Sequence, residues 1–333
     1  MLTLAWYCPS EGDGARLGTR LPERPAEFAY LSKVVRAAER AGAREILIPT
    51  GTVNDSFAPD APFMESWTTT AALAAVTSRI RLIAAVNPAA LAPALAAHQV
   101  ETLERIAPGR LAINLVAGGG PQDGYGGPPR DHAERYARLN ELADALRERF
   151  AGPLYLGGAS PEATALAARV ADAYLMWGET PDAIAERVAG MRRRTDGRAI
   201  RFGLRIHVIA RRSDAEARAA AFEIVSRAAV TDDRAGEYAG FDSAGQARMN
   251  AIPADDEGWV APGIWAGIRS VRGGAGTALV GSYARVARLL DDYREAGVDF
   301  VIGSGYPHLE EVGRVARRVW PRLAGAPAAV RAA

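Results

Sequence analysis

The densest chemistry in the chain lies in the run RFGLRIHVIA, residues 201–210. Read as a strand, it has one face of Phe202, Leu204, Ile206 and Val208 and another of Gly203, Arg205 and His207. The apolar face suits packing against outer helices, so Arg205 and His207 are expected to point inward. Burying a guanidinium is costly unless it is paired or serves a ligand. An arginine offers fixed charge and a forked donor, and a neighbouring histidine can titrate near neutrality, so the pair suits an anionic group. An internal ion pair with a carboxylate is the structural alternative.

Two glycine-rich turns add a second signal. INLVAGGGP places Asn114 in a strand and small residues from Ala117 to Gly120 at its end. YLGGASP runs through Gly157, Gly158, Ala159 and Ser160 into a helix start. Small residues admit a flat ring or a phosphate close to the backbone, and a helix N-terminus offers N–H donors and a positive dipole end. Glycine also serves tight turns for steric reasons alone, so the two turns count together rather than singly. His132 and Tyr136, four apart in DHAERY, share a helix face behind Asp131 as N-cap. SGYPHLEE brings Tyr306 and His308 after a final strand. The four histidines show no metal-ligand spacing, so no metal site is expected. No GxSxG elbow is present either, which argues against a serine hydrolase.

The elements needed to position these residues follow from periodicity. Strands are expected at 2–7, 45–49, 81–86, 111–116, 153–156, 173–177, 201–209 and 300–302. Helices are expected at 28–40, 66–76, 91–106, 131–150, 161–170, 181–193, 214–229 and 310–319. Ser160-Pro161, Thr180-Pro181 and Ser213-Asp214 read as helix starts. Eight strands, each followed by a helix, predict an α/β fold: a TIM (β/α)8 barrel as a single domain over 1–333. About 70 residues, 230–299, separate the seventh helix from the eighth strand, too many for one βα connection. Within them VRGGAGTALVG reads as a glycine-rich loop, with a helix at 282–296 behind it. The insertion 230–281 is therefore expected to form a lid over the C-terminal mouth, where barrel active sites are built.

Composition sets outer limits. Forty basic residues against 39 acidic leave a formal charge of +1 over 333 residues, which argues against a nucleic-acid or membrane-surface partner bound by bulk charge. The single cysteine, Cys8, excludes an internal disulfide and a thiolate-rich zinc site. With no run of transmembrane length and no basic, apolar leader, a cytoplasmic protein is expected.

The strings GDG…LGT (12–19), LIPTG (47–51), NLV.G (114–118), DH.ERY (131–136), LY.GG.S (154–160) and WGE (177–179) run in order along the chain, followed by RFG.R.HVI (201–209), RGGAGTALVG (272–281) and SGYPHLEE (304–311). Together they resemble alkanesulfonate monooxygenase, of the bacterial luciferase-like, two-component flavin monooxygenases. The resemblance implies a barrel that takes FMNH2 from a separate NAD(P)H-dependent flavin reductase, reacts it with O2 to a peroxyflavin and oxygenates a small sulfonate or sulfone-type molecule. It implies Tyr136, Ser160 and the Ala159 amide at the FMN phosphate, with His132 beside them, and Asn114 and Ala117 against the flavin. Trp177, Arg205, His207, Tyr306 and Arg272 match the family's active-site residues, and association as a homodimer or homotetramer is implied.

The chain also departs from that pattern. The family's cysteine after the second strand is missing near Phe63 and Met64, Thr52 stands where an arginine is expected, and Glu11 where a histidine is expected. The loop 52–65 is lengthened, and a segment between Phe150 and Pro153 is absent. Loss of cationic residues opens a second reading, oxygenation of a nitrogen- or carbon-centred metabolite without desulfonation. A deazaflavin-dependent oxidoreductase and a non-catalytic flavin-binding protein are the remaining alternatives.

Overall fold

A computed structural model describes residues 1–89, 91–118, 130–226 and 242–324. Seven strands, β1 (Thr3–Tyr7), β2 (Glu45–Ile48), β3 (Arg81–Val86), β4 (Leu111–Leu115), β5 (Leu154–Gly157), β6 (Ala173–Trp177) and β7 (Arg201–Arg211), pair in parallel in chain order. A last strand, Phe300–Ser304, pairs in parallel with both β1 and β7 and closes the barrel. The helices α1 (Phe28–Arg40), α2 (Ser66–Val76), α3 (Pro93–Ile106), α4 (His132–Arg149), α5 (Pro161–Val170), α6 (Pro181–Arg194) and α7 (Asp214–Val225) follow the strands in turn. The fold is the expected TIM barrel.

Local sequence explains most of the element starts. Asp131 accepts from the Glu134 N–H and closes a capping box on α4. Ser160, Thr180 and Ser213 cap α5, α6 and α7 through the N–H groups of Ala163, Ala183 and Glu216. β5 begins five residues after α4 ends, matching the short connection in the sequence. Of the expected seventh helix, 227–229 lie outside the described residues, as do Gly119, Gly120 and 230–241 of the insertion.

Strand alternation separates two apolar layers. Trp6, Ile46, Leu82, Ile113, Leu204 and Ile206 belong to the shell between barrel and helices. Tyr7, Ile83, Tyr155, Leu175, Phe300 and Ile302 fill the interior. Gly203 is an interior position that must stay small, because a Cβ there would come within 2.4 Å of the Phe300 ring and 2.6 Å of Leu175.

One expectation needs correction. The sequence predicts a glycine-rich loop through residues 278–281, but Ala278–Ser282 is a strand. The insertion contains α8 (Ala244–Asn250), a small hairpin of β8 (Trp259–Ala261) and β9 (Ile264–Trp265), and this strand, β10; α9 (Tyr283–Glu295), β11 (Phe300–Ser304) and α10 (His308–Arg314) follow. β7 outruns the barrel: its first half pairs with β6 and β11, and its Cα positions 207–211 pair with β10. Flanking glycines hid β10, and its pairing is with a strand extension some 70 residues away, which no local pattern reveals. The insertion is thus stitched to the strand that carries Arg205 and His207.

Candidate active site

A pocket at the C-terminal ends of β4, β5 and β6 holds a cavity of about 210 Å³ that opens to solvent. Its walls include Asn114, Ala117, Tyr136, Ala159, Trp177 and Arg205. The glycine-rich turns do form wall backbone. Gly158 adopts φ of +132°, and a Cβ on it would lie 2.6 Å from that of Ala163, so only glycine lets the first turn of α5 come this close. Ser160 and His132 stand behind this wall rather than on it. Ser160 caps α5 and bonds the Tyr136 side chain, while His132 pairs with Glu162 at 3.0 Å and packs on the Tyr136 ring at 4.8 Å. Both therefore fix Tyr136.

Arg205 joins this pocket to a second, fully buried group. Its guanidinium lies 4.3 Å over the Tyr7 ring, and its Nη1 donates to Ser304 Oγ at 2.9 Å. No carboxylate pairs with it among the described residues. Burial, and then Arg272 nearby, pull its pKa down to about 10. His207 is completely buried. Its Nε2 donates to the carbonyl of Ala275 at 2.8 Å, so its Nδ1, 2.7 Å from Ser304 Oγ, must accept from that hydroxyl. Burial, then Arg205 and Arg272, hold the His207 pKa well below the usual 6.5, so the imidazole is neutral. The result is one directional chain: Arg205 to Ser304 to His207 to the lid backbone at Ala275.

Tyr306 stacks on His207 at 5.6 Å, and its hydroxyl accepts from Arg272 Nη1 at 3.1 Å. Arg272 also faces Glu11 at 3.6 Å, and both are about 95% buried. Burial opposes the Arg272 charge, yet Glu11 holds it protonated well above the ordinary value. Glu11 is itself fixed by the lengthened loop: Ser56 Oγ donates to its carboxylate, and Asn54 Nδ2 donates to its carbonyl at 2.7 Å.

The insertion completes the site. Ser243, Gly245, Arg248 and Met249 line the pocket. Trp177 is packed between Gly245 and Gly274, where an added Cβ would touch it at 3.6 and 3.8 Å. Gln246 Oε1 accepts from the Gly274 N–H at 2.9 Å and ties α8 to the loop that holds Arg272. Sequence reading missed four contributors here. Ser304 sits at the end of β11 with no pattern to mark it, although SGYPHLEE contained it. Glu179, also inside a quoted string, pairs with Arg187 and Arg248 on the pocket wall, each at 2.8 Å. These three arrive from β6, α6 and the insertion, and only tertiary structure joins them.

Among solved structures the chain is similar to a riboflavin lyase crystallised with modified FMN and riboflavin, with a TM-score of 0.76 at 16% identity over 96% of this chain and 91% of that one. It is similar to the oxygenating constituent of 3,6-diketocamphane monooxygenase from the CAM plasmid of Pseudomonas putida in complex with FMN, at 0.67 and 17% over 97% and 99%. An F420-dependent secondary alcohol dehydrogenase with an F420-acetone adduct matches at 0.65 and 13% over 95% and 98%. At these identities the likeness is one of fold. The model of the luciferase-like monooxygenase family matches residues 2–299, nine-tenths of the sequence, and the chain belongs to that family.

Proposed function

We propose that this chain is an FMNH2- and O2-dependent monooxygenase that oxygenates a small polar substrate of the sulfonate or sulfone type, with reduced flavin supplied by a separate NAD(P)H-dependent reductase. Family membership and FMN-bound neighbours of the same fold support an oxidoreductase that uses a flavin. Arg205 carries the substrate reading. Among the described residues it is a buried cation without a carboxylate partner, set where the pocket meets the aromatic cluster.

The residues present fit FMN. Asn114 Oδ1 is buried on the pocket wall without a partner and suits a ring N–H. Tyr136, Ala159 and the capped start of α5 suit the phosphate. When bound, reduced FMN would supply the activation of O2 and the transfer of one oxygen atom. The protein would do the rest. Arg205 would hold the anionic group, with its orientation set by Ser304 and Tyr7. Neutral His207 would lock Ser304 through an accepted hydrogen bond. Trp177, Arg272 and the insertion would exclude water.

Glu11 favours one second reading. By neutralising Arg272 it removes a cation that a sulfonate would use, which favours a nitrogen- or carbon-centred substrate oxygenated without desulfonation. A panel of alkanesulfonates, given O2, FMN and a flavin reductase, separates the two. The proposal expects one sulfite and one aldehyde per substrate-coupled flavin oxidised; flavin turnover without sulfite from any member leaves the second reading. Deazaflavin binding in preference to FMN, with O2-independent turnover, would contradict both. Homodimer or homotetramer assembly and a cytoplasmic location complete the proposal. Among the described residues no helix is long and apolar enough to cross a membrane.

A further inference from the structure

The opposite end of the barrel carries a cavity that the flavin chemistry does not use. It lies at the N-terminal ends of β2, β3, β4 and β7, with about 690 Å³ of empty space, part of it open to solvent. Five arginines, Arg44, Arg79, Arg81, Arg110 and Arg201, line it together with a single carboxylate, Glu45. The chain as a whole is almost neutral, 40 basic residues against 39 acidic, so a ratio of five to one on a concave surface is a local choice of sequence rather than a bulk property.

The arginines differ in what already occupies them. Arg110 donates to Thr77 and to the carbonyl of Ala74, at 3.0 and 2.9 Å, and is committed to the fold. Arg81 and Arg201 both donate to Glu45 Oε1, at 3.2 and 2.9 Å, and the Tyr155 hydroxyl adds a third bond to that same oxygen at 2.9 Å. Arg44 and Arg79 are exposed, and their guanidinium groups make no hydrogen bond among the described residues, although the Arg79 charge also helps hold the Glu39 carboxyl low. The neighbouring carboxylates of Glu39 and Glu104 accept from the backbone N–H groups of residues 78–80 and 109.

Two polar atoms of this cavity's side chains remain unmet. Glu45 is 3% exposed, and its Oε2 is buried without a partner. Arg81 Nε is likewise buried and unpartnered. Buried polar atoms are normally satisfied, so an acceptor and a donor left open on two adjoining side chains of one cavity point to a group that supplies both. A hydroxyl does so. The free guanidinium groups of Arg44 and Arg79 at the rim suit a phosphate, which arginine binds through two parallel N–H bonds.

We propose that this floor cavity is a second ligand site, for a phosphate ester that also bears hydroxyl groups, of the nucleotide class. Its anionic end lies against Arg44 and Arg79, and a hydroxyl reaches Glu45 Oε2 and Arg81 Nε. The site is at the far end of the barrel from the flavin pocket, so it does not depend on the reading of that pocket.

Calorimetric titration of the full chain with ADP, inorganic pyrophosphate and adenosine tests this directly. The variant is the double charge reversal Arg44→Glu/Arg79→Glu, which alters two exposed side chains that donate no hydrogen bond among the described residues, with the unfolding midpoint of the variant measured alongside. ADP is expected to bind most tightly, pyrophosphate more weakly and adenosine least. The reversal is expected to weaken ADP at least about tenfold while leaving FMN affinity within about twofold, and raising salt from about 50 to about 300 mM should weaken ADP several-fold. Absence of ADP and pyrophosphate binding to the unaltered protein would overturn the proposal, the two open atoms then being met by water alone. ADP binding that survives the reversal and is displaced by FMN would also overturn it, by placing the nucleotide in the flavin pocket. Pyrophosphate binding as tightly as ADP would remove the hydroxyl contact.

Discussion

Arg201 and Arg205 stand on the same inward face of β7, two alternations apart, and are treated in opposite ways. Arg201, at the floor, donates to Glu45, lies 4.4 Å over the Phe300 ring and is 40% exposed in its side chain. Burial works against its charge, but Glu45 holds its pKa above the ordinary value. Arg205, at the mouth, is 95% buried, has an aromatic ring and a hydroxyl for company, and has its pKa lowered to about 10. A paired cation at the floor contributes to the fold. One at the mouth with no carboxylate partner among the described residues is held against its own desolvation, the arrangement expected of the proposed site that takes an anion from outside.

The widest separation between the two should appear in turnover. Arg205→Met is expected to lower substrate-dependent O2 consumption about 10²- to 10³-fold in kcat/KM, as removal of a preorganised charge-stabilising donor does. Arg201→Met should keep kcat/KM per folded molecule within about threefold. Equal losses in the two variants would erase the distinction.

Acid should strain the mouth. Burial first, then Arg205 and Arg272, push His207 well below 6.5 and His308 down to about 3. Below pH 6.5 the unfolded chain therefore takes up two protons that the folded chain refuses, and stability falls as pH falls. Asp13 opposes this: burial raises its carboxyl from 3.8 to about 7, so the folded state binds its proton first and gains stability as pH falls through 7. Burial raises the Glu311 carboxyl too, so the histidines outweigh the carboxyls by at most about one proton, and urea unfolding should lose up to about 1.4 kcal/mol per pH unit between about pH 6.5 and 4.5. Asp13→Asn should roughly double that slope, and a slope unchanged by it would mean that Asp13 titrates normally.

Smaller effects refine the comparison. Arg201→Met should cost about 1–2 kcal/mol of unfolding free energy, because Glu45 keeps Arg81 and Tyr155 and the lost partner was partly solvated. Ser304→Ala should lower kcat about tenfold with FMN affinity unchanged, since it releases both Arg205 and His207 without touching the pocket wall. A Ser304→Ala enzyme with full kcat would reduce the chain from Arg205 to Ala275 to packing.

Much of this was legible in the sequence, and the reason is periodicity. Strict alternation in 201–210 put Arg205 and His207 on the interior face, and the capping residues of α4, α5, α6 and α7 marked true helix starts. What sequence could not show was pairing. Nothing in RFGLR says that Arg201 meets Glu45 from β2 while Arg205 meets no carboxylate among the described residues, because both facts depend on barrel closure. The lengthened loop 52–65 could be seen, but not that its Asn54 and Ser56 hold Glu11 beside Arg272. β10 was hidden by its glycines, and the sequence could not show that His132 and Ser160 both brace Tyr136. Residues that support a wall and residues that form it carry the same motif.

The most direct measurement is the denaturant unfolding of Arg205→Met beside the unaltered protein, without ligand, at neutral pH. If Arg205 is held for a ligand at the expense of the fold, the variant should be as stable or more stable, by up to about 2 kcal/mol, as when a poorly compensated buried charge is replaced by a well-packed apolar chain. A loss of about 2 kcal/mol or more would contradict the account and make Arg205 a structural residue like Arg201.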